Sequence, residues 1–219
     1  MVKRMLTVAV IFIAIVTVAA QDSPHVVAKD ATVMTFKLHY LEAGRGAPIV
    51  LLHGLGGDGS RWRGNIDALA KDFHVFALDE IGFGQSDKPL ANYHTGMLAE
   101  FLVGFLKAVN IPKASLVGNS MGANVALYTA ARYPDVVDKI VLADGGGFRS
   151  ASDAARPVDP HRRQIQNSVT REETREFFRI LFHHKELVTD AMVDEQLPMR
   201  LRSAFAISKM FRKRASGAA

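Results

Sequence analysis

The stretch "LVGNSMGANVALYTA", residues 116–130, decides how the rest of the chain is read. An apolar run leads into Gly118 and an alanine-rich run leads out of Gly122, with Ser120 midway between the two glycines. A strand that turns at once into a helix is crowded, and glycines two positions either side of the turn relieve that crowding. The residue at the apex is then lifted clear of the sheet. Ser120 stands where a nucleophile would. A serine hydroxyl needs a base, and the base usually needs a third group to orient it.

Working outward, "ASLVGN" (114–119), "APIVLLHG" (47–54), "HVFALD" (74–79) and "DKIVLAD" (138–144) are short apolar runs, rich in β-branched residues. They read as strands buried on both faces. Between them, "SRWRGNIDALAKDF" (60–73) places Trp62, Ile66, Leu69 and Phe73 on one helical face. "GMLAEFLVGFLKAVN" (96–110) and "MGANVALYTAARYP" (121–134) read as further helices. "TVMTFKLHYLEAG" (32–44) alternates and reads as one or two antiparallel strands at a sheet edge. Strands alternating with helices predict an α/β chain, a doubly wound and mostly parallel sheet covered on both faces.

The pattern changes after Gly147. "TREETREFFRILFHH" (170–184) opens with a capping box, Thr170 and Glu173, and is expected to carry His183 and His184 within an amphipathic helix. "AMVDEQLPMRLRSAFAISKMFRKR" (191–214) reads as one or two helices interrupted near Pro198. The expected organisation is an N-terminal leader (1–20), part of an α/β core (21–150) and an all-helical lid (151–219).

The 219 residues carry a net charge of +5 and no cysteine. There is accordingly no disulfide, thiolate metal site or thiol nucleophile. Lys209, Arg212, Lys213 and Arg214 read as a solvated helix face, so no nucleic-acid partner is expected. No metal cluster or cofactor motif is evident, and the glycines of "EIGFGQSDKP" (80–89) lack dinucleotide-fingerprint spacing. "MVKR" followed by the apolar run "MLTVAVIFIAIVTVAA" reads as a secretory signal peptide, cleaved after Ala20, which places the mature protein outside the cytoplasm or in the periplasm. The alternative is an uncleaved N-terminal membrane anchor.

Three segments fall at the ends of expected strands: "HGLGG" (53–57), "EIGFGQSDKP", and the Gly118–Gly122 turn. Together they resemble the α/β-hydrolase superfamily, in its lid-bearing esterase and C–C-bond hydrolase branch. The resemblance implies that Ser120 is the nucleophile and that the backbone N–H groups of Leu55 and Met121 form an oxyanion hole. Gly54, Gly56, Gly118 and Gly122 would shape the two loops. His53 would hold the oxyanion loop rather than act as base, and Asp79, Ser86 and Asp87 would fix neighbouring loops. Asp144 ends the strand after the nucleophile, where some relatives carry their acid.

The family's order of serine, acid, histidine then meets a difficulty. After Ser120 the histidines are His161, His183 and His184, all in the lid-like segment. The expectation is a chain holding the family's strands only up to the sixth, inactive for want of the usual acid and histidine. "KIVLAD" would then be an exposed apolar edge. The implied activity is hydrolysis of a small ester-like carbonyl substrate through an acyl-serine. The alternatives are a C–C bond hydrolase, a non-catalytic binding protein, or a lid histidine serving as base.

Overall fold

A computed structural model describes residues 25–145 and 169–210. The expected leader, His161 and the basic cluster beyond Met210 lie outside the described residues. So does the boundary between core and helical segment.

Six strands form one sheet: β1 (Val27–Val33), β2 (Phe36–Ala43), β3 (Ala47–Leu52), β4 (Phe73–Leu78), β5 (Ala114–Asn119) and β6 (Val137–Ala143). Their order is β1-β2-β4-β3-β5-β6. The first two pairings in that order are antiparallel and the remaining three parallel. Three helices connect the strands: α1 (Arg63–Leu69), α2 (Thr95–Ala108) and α3 (Met121–Arg132). This is the doubly wound α/β arrangement that the sequence predicts.

The period of two along a strand divides the core. Val50 and Leu52 of β3, with Phe76 and Leu78 of β4, pack toward Leu98, Leu102, Phe105 and Val125 of α2 and α3. Their neighbours Ile49, Leu51, Val75 and Ala77 face the opposite way, toward Ile66 of α1. A central strand apolar at every position is thus satisfied by helices on both faces.

α1 is shorter than its apolar spacing suggests. A 3-10 turn, Gly59–Trp62, capped by Asp58, precedes it, and the helix ends at Leu69. Phe73, expected on the helix, instead begins β4 and pairs with Ala47. Strand pairing across the sheet outweighs a helical period that would have added one more apolar position, four residues on.

β6 departs from the buried strand read in isolation. Among the described residues it pairs only with β5, and Val141 is 57% exposed. The exposed apolar edge considered above is therefore observed.

Two further helices follow: α4 (Arg171–Leu181) and α5 (Asp190–Met210). The capping box is formed, with Thr170 Oγ accepting the Glu173 N–H and the Glu173 carboxylate accepting the Thr170 N–H. α4 ends sooner than expected. Phe182 is extended, and Lys185 Nζ donates to the carbonyls of Arg179 and Phe182, so His183 and His184 leave the helix. α5 is continuous through Pro198, contrary to the expected interruption. A proline inside a helix costs about 3 kcal/mol. Here Val193 and Gln196 before it, and Met199, Ser203 and Ile207 after it, are all buried, and packing holds both halves on one axis. Arg171 grips Asp194 through two bonds of 2.6 and 3.0 Å, and Arg175 pairs with Asp190 at 2.5 Å, joining α4 to α5.

An apolar strand edge is a template for association. Replacing Val141 with Lys is expected to slow concentration-dependent aggregation of the purified chain, measured by light scattering. The urea unfolding midpoint should change little, because the side chain already faces solvent.

Candidate active site

Ser120 caps the N-terminus of α3 with φ +51° and ψ −108°. A non-glycine residue held there costs on the order of 1–3 kcal/mol and persists only where its surroundings enforce it. They do so here. The Ser120 N–H donates to the Ala143 carbonyl of β6 at 2.8 Å, and the Gly122 N–H donates to the His53 carbonyl at 3.1 Å. A Cβ on Gly118 would lie 2.3 Å from the Gly122 carbonyl carbon, and one on Gly122 would lie 2.3 Å from the Leu52 oxygen. Strand, helix and neighbouring strand approach too closely for any side chain at either position.

The "HGLGG" loop lies against this turn. A Cβ on Gly54 would sit 2.9 Å from Asn119 Oδ1 and 3.4 Å from Ser120 Cβ. Among the described residues, the N–H groups of Leu55 and Met121 have no hydrogen-bond acceptor. Met121 opens α3, where the first-turn N–H groups lack helical partners and the helix dipole favours negative charge.

His53 is buried behind the loop. Its Nδ1 donates to the Gly54 carbonyl at 2.8 Å, which leaves Nε2 to accept the Glu80 N–H at 3.2 Å. Burial lowers its pKa. Both ring nitrogens are engaged, so the ring braces the loop. Asp79 accepts the N–H groups of Gly59 (2.6 Å) and Gln85 (2.7 Å). Ser86 Oγ donates to the Asp79 carbonyl and accepts the His39 N–H, and the Asp87 carboxylate accepts the Lys37 N–H. These three residues hold loops beside the site. Gly84 is required there, since a Cβ would lie 2.1 Å from Asp79 Oδ2.

A cavity of about 850 Å³ opens above Ser120. The "HGLGG" loop and Asp144 line it, and α4 and α5 cover it with Phe177, Phe178, Gln196 and Arg200. Asp144 ends β6 at φ +54° and is exposed. No imidazole hydrogen-bonds to it, or to the Ser120 hydroxyl, among the described residues. His183 and His184 line the same cavity, and His184 Nδ1 lies 2.9 Å from Glu186 Oε1 with both side chains exposed. Among the described residues no group of side chains is placed to hold a metal ion.

Two residues escaped the sequence reading. Arg200 is 1% exposed, stacked over Phe177 at 4.0 Å. Its signal was its phase: it lies midway between buried Val193 and Ile207 at seven-residue spacing. Glu80 is 2% exposed, and among the described residues its carboxyl oxygens have no hydrogen-bond partner. The nearest cationic candidate is His53 Nε2, 3.8 Å away. Burial pushes its pKa up to about 8. No spacing could have marked it, because its burial is set by the folded surroundings of the loop and not by a periodic pattern in the sequence.

Glu80 makes stability depend on pH. An unfolded glutamate ionises near pH 4.3 or so, whereas the folded side chain holds its proton to about pH 8. Below both values neither state is charged. Between them the unfolded state loses its proton first, so this residue's contribution falls as pH rises and levels off above pH 8. Glu80→Gln is expected to gain stability relative to the native chain steadily from pH 5 to pH 8, read from urea midpoints. Equal differences at both pH values would refute this.

The geometry has known counterparts. The family described as alpha/beta hydrolase fold matches residues 47–208. A 2-hydroxy-6-oxo-6-(2'-aminophenyl)hexa-2,4-dienoic acid hydrolase of Metapseudomonas resinovorans is 34% identical over 163 residues, 72% of this chain and 54% of the relative. A 2-hydroxymuconate semialdehyde hydrolase of Pseudomonas sp. (strain CF600) is 35% identical over 133 residues, 59% of this chain and 47% of the relative. The chain thus spans about half the length of these curated relatives. The solved meta-cleavage product hydrolase from Pseudomonas fluorescens IP01 superposes with a TM-score of 0.73 at 30% identity, covering 85% of this chain and 69% of that one. The strained serine turn, the braced glycine loop and the matched family meet in one conclusion: this chain belongs to the alpha/beta hydrolase fold family.

Proposed function

We propose that the cavity is the site of a Ser120-dependent hydrolase that cleaves a carbon–carbon bond beside a carbonyl in a small carboxylate-bearing molecule. The observation that carries this reading is a buried cation, Arg200, in the wall of the cavity that Ser120 enters. A guanidinium in that wall can hold a carboxylate through two parallel N–H bonds. The relatives' names supply the second support, since two of them describe hydrolases of carbonyl-bearing acids. A carboxylic ester, the substrate class first read from the sequence, would share the addition step. The named relatives favour the carbon leaving group.

In this mechanism Ser120 Oγ adds to the substrate carbonyl, and the Leu55 and Met121 N–H groups take the developing oxyanion. Losing one such donor typically costs about 3 kcal/mol of transition-state stabilisation. With the dienol in its keto form, collapse breaks the bond to the neighbouring carbon, whose electron pair departs into the conjugated enone and takes up the proton that the Ser120 hydroxyl gave up on addition. Water hydrolyses the acyl-serine to release the acid. Arg200 holds the carboxylate, and α4 and α5 exclude solvent.

Because no imidazole contacts Ser120 among the described residues, the test supplies one. Purified chain is given a 2-hydroxy-6-oxohexa-2,4-dienoate with and without added imidazole. The expected result is slow cleavage that rises with imidazole and disappears in Ser120→Ala. An equal imidazole effect in the variant would reject Ser120 as nucleophile.

We further infer export, on the strength of the basic start and apolar run ahead of Ala20. Expressed from its own start codon in a bacterium, the chain should be recovered from the periplasm or medium with Gln21 as its first residue by N-terminal sequencing. An intact Met1 on membranes would favour the anchor.

A further inference from the structure

The planar peptide unit that supplies the Leu55 N–H also carries the Gly54 carbonyl, so whatever fixes that carbonyl aims the donor. Two groups fix it. His53 Nδ1 donates to the Gly54 oxygen at 2.8 Å, and the Gly57 N–H donates to it at 3.0 Å. The first of these bonds exists only while His53 keeps its proton on Nδ1. The Glu80 N–H favours that tautomer, because it donates to Nε2 at 3.2 Å and needs a lone pair there.

The Glu80 side chain offers the same ring a second arrangement. Both its carboxyl oxygens are buried and lack a hydrogen-bond partner among the described residues, and Oε2 lies 3.8 Å from His53 Nε2. A neutral carboxyl makes no demand on Nε2. A carboxylate does, because a buried anion needs a donor, and a shift of about 1 Å brings Nε2 into hydrogen-bond range. The other charged groups around the pair have partners of their own. Asp79 accepts the Gly59 and Gln85 N–H groups, and Asp58 is held by Arg202 of α5 at 3.3 Å. Burial lowers the His53 pKa and outweighs the Gly54 carbonyl, Asp79 and Asp58, which raise it; Arg61 acts in the same sense as burial. The ring is therefore neutral where Glu80 titrates. Phe83 packs edge-on against it, with ring centroids 5.4 Å apart, and offers the carboxyl no donor.

We propose that Glu80 is a positioning residue for the Leu55 N–H: on losing its proton it draws the His53 proton from Nδ1 to Nε2 and releases the Gly54–Leu55 peptide. The carboxyl proton passes to water. The imidazole holds one proton throughout, moved between its nitrogens by exchange with water. Nδ1 then turns a lone pair toward the Gly54 oxygen, two acceptors in contact, and of the two donors only the Gly57 N–H still holds that carbonyl. The Glu80 N–H loses its acceptor in the same event. Burial pushes the Glu80 pKa up to about 8, so the loop is braced below that pH and released above it. The consequence for catalysis rests on the reading above that the Leu55 N–H takes the oxyanion; the coupling of Glu80, His53 and the peptide does not.

Nuclear magnetic resonance of the isotope-labelled 219-residue chain tests this through the Glu80 carboxyl carbon, the His53 ring nitrogens and the Leu55 amide. Over a range of about pH 6 to pH 10 the Glu80 carbon should titrate with a midpoint of about 8. The His53 nitrogens should exchange character at that same midpoint, with the proton on Nδ1 below it and on Nε2 above it, and the Leu55 amide should shift with them. Glu80→Gln is close in size and uncharged throughout. It should keep the His53 proton on Nδ1 and hold the Leu55 amide signal constant across the range, and its unfolding midpoint checks the fold. A Glu80 carboxyl that does not titrate in this range, one that ionises with no change at His53, a Leu55 amide that stays constant while His53 changes, or the same Leu55 shift in Glu80→Gln overturns the proposal. If the variant does not fold, the coincidence of the three midpoints in the native chain decides. None of these outcomes depends on cleavage, so the Ser120 reading stands or falls separately, on the imidazole experiment.

Discussion

Everything around the site depends on how closely β5 and α3 approach β3 at one turn. Backbone atoms of Gly118, Gly122 and Leu52 leave 2.3 Å where a Cβ would have to fit. That closeness forces Ser120 into a positive-φ conformation and lifts its hydroxyl over the sheet edge. It also aligns the first turn of α3 with the loop after β3, since the Gly122 N–H is bound by the His53 carbonyl. Ser120 and Leu55 thereby come to line one cavity, with Met121 opening α3 directly behind the serine. The strain of that turn is offset by the parallel strand pairs on both sides of β3 and β5.

The second layer of organisation is the bracing behind the loop. His53, buried and committed through both nitrogens, transmits the position of the Glu80 backbone to the "HGLGG" loop. Asp79 and Ser86 tie that same segment to the 3-10 turn and to β2. The loop is thus held from behind by hydrogen bonds and left open in front. Glu80 lies in that same segment, and its burial raises its pKa to about 8.

The helices that cover the cavity follow a different logic. α4, α5 and the connector between them contribute a small apolar cluster of Phe177, Phe178, Val188 and Val193, and α5 joins the main core through Ala206 and Ile207. On the buried face of α5, Arg200 stacks on Phe177 at the cavity wall.

Sheet and elbow were legible in the sequence because both depend on local rules. Fully apolar β-branched runs mark strands that helices cover on two sides, and glycines spaced two from a serine mark a turn without room for side chains. Asn119 to Met121 could be placed from those rules to the residue. The continuity of α5 through Pro198, the exit of His183 and His184 from α4, and the burial of Glu80 and Arg200 could not. The exit of the histidines follows from Lys185 binding the last carbonyls of α4, a side-chain contact that the apolar period does not reveal, whereas the other outcomes depend on the packing that surrounds each residue. Sequence alone determined which segments alternate and where the nucleophile-like serine stands. Tertiary packing alone decided which charges lie buried beside it, because desolvation is a property of the neighbours that close over a group and not of the group itself.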